Sequence, residues 1–105
     1  MKNVRLLLLF LFLLPSILSA APVPYSGKVA INGLNFQGDA QFTFALRDAN
    51  GTVHWRNGAD ANASVTLNVD RGLYVCLLGG NEMNDFPPSL FLENSELFLV
   101  VHFFR

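Results

Sequence analysis

Any chemistry in this 105-residue chain must come from a short set of side chains. The two histidines, His54 and His102, lie far apart in the sequence, and neither has a Cys or His at metal-ligand spacing. A site would need folding to unite them with a carboxylate; strand-face positions are the simpler reading. Asp48-Ala49-Asn50-Gly51 echoes the start of a calcium loop, but the later ligands and the closing Glu are missing, so a turn is expected. Ser26, Ser64, Ser89 and Ser95 lie in no Gly-x-Ser-x-Gly elbow, and no ordered set of Ser, His and acid is visible. Glu82, Asp85, Glu93 and Glu96 cluster late in the chain, where a carboxylate pair could act on a sugar, although solvated loops explain them more simply. Trp55, Tyr25 and Tyr74 could stack on a saccharide if exposed together, but each sits among alternating apolar residues and reads as core. The single Cys76 has no internal partner. It reads as a small buried hydrophobe, with intermolecular pairing as the alternative. No residue is assigned a catalytic, cofactor-binding or metal-binding role, no cofactor is expected, and the chain does not read as an enzyme.

The elements that must hold these residues begin after residue 20. Lys2 and Arg5 precede an unbroken apolar run from Leu6 to Leu14, followed by Pro15 and the small residues Ser16, Ser19, Ala20 and Ala21. This order is that of a secretory signal peptide, and the run falls short of the roughly 20 apolar residues a spanning helix needs. A signal-peptide helix over 1–20, cleaved after Ala20, is the expectation, leaving no stable membrane anchor. The location implied is secreted, periplasmic or cell surface. Cleavage leaves Lys28, Arg47, Arg56, Arg71 and Arg105 against eight carboxylates, moving the formal charge from −1 to −3. Five scattered cations make no basic stripe, so no nucleic-acid partner is expected.

Period-two alternation marks strands over Ser26 to Ile31, Gln41 to Leu46, Thr52 to Arg56 and Val65 to Val69. In the third of these, Val53 and Trp55 are expected on one face and His54 and Arg56 on the other. Asp48 to Gly51 reads as a hairpin turn, Asn57 to Asn62 as a loop, and Asp70-Arg71-Gly72 as a turn. Leu73 to Leu78 is apolar at nearly every position, which predicts a central strand buried on both faces. Pro87 and Pro88 exclude regular structure; Ser89 is expected to cap one helical turn that carries Leu90, Phe91 and Leu92 to the core. Glu96 to Phe104, dense in β-branched and aromatic residues, reads as the last strand. The fold class is therefore all-β: a small antiparallel β-sandwich of about six to seven strands with one short helical turn.

A set of local patterns then falls into one order: Tyr25-Ser26-Gly27-Lys28-Val29 with Asn32-Gly33; Phe42 to Leu46 ending in Asp48 to Gly51; Trp55; Val69 with Gly72 to Gly79; and Leu90-Phe91 before Leu97 to Val101. Over essentially all of residues 21–105 this resembles the β-sandwich module found after the signal peptide in secreted bacterial surface and fibre-like proteins. The resemblance implies a non-enzymatic structural, adhesion or assembly role and brings no catalytic residue with it. That pattern usually continues past the last apolar strand with a further turn, a Pro-Arg pair and a closing segment, whereas this sequence stops at Arg105, so it reads either as a shortened relative or as a fragment of a longer gene. Its last strand would then seek other protein chains. A carbohydrate-binding module with a saccharide partner is the alternative, and an extracytoplasmic hydrolase a remote one.

Overall fold

Phe42, Phe44 and Leu46 alternate with polar or small residues, and the strand they define is the spine of the molecule. The computed structural model describes residues 2–8 and 21–105. The elements in chain order are β1 (Lys2–Leu8), β2 (Val23–Lys28), β3 (Ala30–Ile31), β4 (Leu34–Asn35), β5 (Gly38–Arg47), β6 (Val53–Arg56), β7 (Val65–Val69), β8 (Leu73–Leu78), α1 (Leu90–Glu93) and β9 (Leu97–Phe104). The fold is all-β, as expected, with every pairing antiparallel.

One edge of β5 is shared by β7, along Gly38 to Phe42, and β6, along Ala45 to Arg47. Its other edge carries β9, with Phe42 opposite Phe103 and Leu46 opposite Leu99. β2 and β8 form a separate two-stranded sheet. The two layers meet through rings: Phe42 lies 4.4 Å from Tyr74 and 5.4 Å from Phe103, centroid to centroid, and Tyr25 meets Phe44 edge-on at 6.3 Å. A second aromatic chain runs from Trp55 to Phe86 at 4.9 Å and on to Phe91 at 5.3 Å, closing one end of the core. Gly27 faces Tyr74 across the β2–β8 ladder, and any Cβ there would run into the phenol ring. The turn after β7 has positive φ at Arg71 and Gly72, the twist that suits a two-residue hairpin.

Four expectations are corrected. β8 is not buried on both faces: Tyr74 and Leu78 point inward, but Leu73, Val75 and Leu77 are 57%, 72% and 48% exposed, because no third layer covers the β2–β8 sheet among the described residues. Val53 does not share a face with Trp55. The register shifts between Leu46 and Arg47, pairing Leu46 with Trp55 and Arg47 with Val53; the extra residue, His54, lets Trp55 turn inward while Val53 stays outside. Ser89 makes no side-chain cap, since its backbone is already helical (φ −86, ψ −4) where a capping residue is extended. A single turn buries one stripe, so Leu90 is buried and Leu92 is left exposed. Finally, Lys2–Leu8, expected to begin the leader helix, is an extended strand paired with β9. The rest of that leader, including its cleavage region, lies outside the described residues.

Phe42 touches rings from both layers and has no exposed surface. Phe42→Ala is expected to lower unfolding free energy by about 3–5 kcal/mol, read as a drop in the chemical-denaturation midpoint.

Candidate functional site

β9 is the element on which the exposed features converge. Its inward row, Leu97, Leu99, Val101 and Phe103, is buried in the core. Its outward row, Phe98, Val100, His102 and Phe104, is half-buried on the opposite face of the sheet. Along its free side lies β1, in a seven-residue antiparallel register from Lys2 opposite Phe103 to Leu8 opposite Leu97.

The outward row beyond Phe98 forms the floor of an open groove of about 970 Å³. Val100, His102 and Phe104 from β9 lie beside Thr43, Ala45 and Arg47 from β5, with Val53 and Arg56 of β6 and the Ala61–Asn62 loop as the far wall. The register makes this inevitable: Thr43 stands opposite His102 and Ala45 opposite Val100. The Arg47 guanidinium donates to the Asp48 carbonyl at 2.8 Å and lies 5.0 Å from the centre of the Phe98 ring. Among the described residues no carboxylate lines the groove; its charge comes from Arg47 and Arg56, with His102, Thr43 and Asn62 as its other polar groups.

The histidines are not brought together into a metal site. His54 Nε2 lies 2.9 Å from Asp48 Oδ2, while His102 lines the groove. Among the described residues no group of three or more His, Cys, Asp or Glu could hold a metal ion. Asp48 organises the β5–β6 turn: its Oδ1 accepts from the backbone N–H of Asn50 at 2.9 Å and of Thr52 at 3.0 Å. These hydrogen bonds, His54 foremost and Thr52 next, hold the Asp48 carboxyl below its ordinary value of 3.8.

The serines form no nucleophile site among the described residues. Ser64 donates to Gln41 Oε1 at 2.8 Å, and none of the described serines, nor Cys76, hydrogen-bonds a histidine. Glu82, Asp85, Glu93 and Glu96 are exposed and make no side-chain hydrogen bond or ion pair among the described residues. Trp55 and Tyr74 are 5% and 3% exposed, so with the half-buried Tyr25 they make core rather than an outward platform. The Trp55 indole N–H donates to the Asn84 carbonyl at 3.0 Å. Burial, reinforced by a hydrogen bond with Tyr25, pushes the Tyr74 phenol far above its ordinary value.

Two asparagines in the irregular segments, Asn57 and Asn84, tie those segments to the sheet. Asn57 is the one buried polar residue among those described; its Oδ1 accepts from the Phe44 N–H at 2.8 Å and its Nδ2 donates to the Ala63 carbonyl at 3.0 Å. Asn84 Nδ2 donates to the carbonyls of Arg56 at 3.1 Å and Gly58 at 2.8 Å. Nothing in their spacing announces this; an Asn in a Gly-rich loop looks the same whether it faces water or backbone.

Two measurements follow. Asp48 has a depressed carboxyl, so its contribution to stability is present above the ordinary value of 3.8 and lost as pH falls through its folded value. Asp48→Asn is therefore expected to be less stable than the parent at neutral pH, and the gap should close in acid below that range, as followed by denaturation at stepped pH. Cys76, half-buried on the inner side of β8, has its thiol pushed up to about 11 by burial. Its alkylation at pH 8 is expected to be about a hundredfold slower in the folded chain than in the unfolded one, read by mass spectrometry. Comparison with protein-family models, with curated proteins and with solved structures finds no match to this chain.

Proposed function

We propose that this chain is a non-enzymatic module of an exported protein, secreted, periplasmic or on the cell surface, that serves structure, adhesion or assembly by joining other protein chains through its last strand. One observation carries the reading: β9, eight residues of almost wholly apolar sequence, has on one side, as its only strand neighbour among the described residues, a segment that the sequence marks as a removable leader. Without that segment, β9 becomes the edge strand of its sheet, with a row of backbone donors and acceptors lacking partners. The exposed row Leu73, Val75 and Leu77 adds apolar surface on the other layer. Among the described residues no helix is long and apolar enough to cross a membrane. Neither alternative has a specific observation in its favour: the rings a saccharide would need lie in the core or are half-buried, and the groove pairs no nucleophile with a base.

The test is to express the full chain in an exporting bacterium, establish the N-terminus of the product by mass, and follow its association by light scattering alongside far-UV circular dichroism. A β-rich product beginning at Ala21 that associates with rising concentration is the expected result. A product that stays monomeric at every concentration and binds no other exported chain overturns the reading.

A further inference from the structure

Resting on that reading, we infer that the partner of β9 is a second copy of β9, paired antiparallel about a two-fold axis so that two modules share one continuous sheet. The edge is competent for this geometry, because it accepts β1 antiparallel over seven consecutive positions without a register break. The occupant must keep the alternation of buried and outward rows in phase, since slipping one residue would carry the apolar row to the wrong face. β9 meets that demand against itself. With Val100 opposite Val100 of the second copy, Leu97 stands opposite Phe103 and Leu99 opposite Val101, so the inward rows of the two cores run on across the join. The outward rows run on as well, Phe98 opposite His102.

Charge selects the antiparallel orientation. Glu96 immediately precedes β9 and Arg105 immediately follows it, and both are exposed. Antiparallel pairing brings Glu96 of each copy to the same end of the ladder as Arg105 of the other, one position apart along the strands. Parallel pairing would set Glu96 beside Glu96 and Arg105 beside Arg105. The contact is isologous, so it closes at two copies and leaves no further β9 edge open. The sheet so formed runs β6–β5–β9–β9–β5–β6, with β7 still on β5.

The experiment uses the processed product of the exported full chain and three of its forms: the parent, Glu96→Arg and Arg105→Glu. Both substitutions are at exposed positions outside the core, and circular dichroism checks that each form remains folded. In a dimer of Glu96→Arg, arginines meet at both ends; in a dimer of Arg105→Glu, glutamates meet at both ends. Each variant alone is expected to dimerise about tenfold more weakly than the parent at low salt, and an equimolar mixture to recover dimer to within about threefold, because the mixed pair restores opposite charges at both ends. A peptide of the sequence Lys2–Leu8, added in excess, is expected to break the parent dimer by taking the β9 edge. Three results overturn the inference: a product that retains residues 2–8, a product that is monomeric, or an assembly that neither charge change nor the peptide affects. The last of these would leave the assembly reading standing while moving its contact away from β9.

Discussion

The contact between Phe42 and Tyr74 is the joint on which the rest of the structure depends. Phe42 belongs to β5, which pairs with β6, β7 and β9, and Tyr74 to β8, which pairs with β2 in a separate sheet. Their rings at 4.4 Å set the spacing of the two layers, and Phe103 from β9 packs onto the same ring. The demand travels outward: β2 must carry Gly27 opposite Tyr74, because a side chain there would occupy the space the phenol needs. A tilted stack of this kind adds only about 0.5–1.5 kcal/mol beyond its buried area, yet it fixes which faces of three strands are inside.

Polar order is concentrated at the other end of the core. β5 continues past the point where β7 leaves it, and the loop between β6 and β7 must cross over the gap. Asn57 bridges that crossing, taking the Phe44 N–H and giving to the Ala63 carbonyl, so buried backbone groups are satisfied where the ladder changes partner. Asn84 does the same for the carbonyls of Arg56 and Gly58 while its own carbonyl receives the Trp55 indole. Together these two amides tie the irregular segments to the sheet.

Much of this was legible in the sequence because alternation reports directly on a half-buried strand. Alternation marks β5, β7 and β9 to within a few residues, and the turns at Asp48 and Arg71 carry residues that tolerate their backbone angles. The failures share a cause. The apolar run from Leu73 to Leu78 shows that both faces of β8 avoid charge, but composition cannot separate a face already covered from one left bare. The bulge at His54 reverses the expected side of Val53 through a single unpaired residue that has no signature of its own. Phe86 lies in a segment without period and is nonetheless buried, because its ring is held from both sides by Trp55 and Phe91. No site residue could be read as catalytic from spacing, and the groove came into view only when the register placed Thr43, Ala45 and Arg47 beside the outward row of β9.

The β1–β9 pairing also has a consequence in time. It joins Lys2–Leu8 to β9, so its formation closes a loop of about ninety residues and belongs among the slowest contacts to form. Until Leu97–Phe104 has been made, Lys2–Leu8 has no β9 to pair with. Whatever reaches Lys2–Leu8 before that ladder closes meets an unpaired strand, and whatever arrives afterwards meets one already held in the sheet.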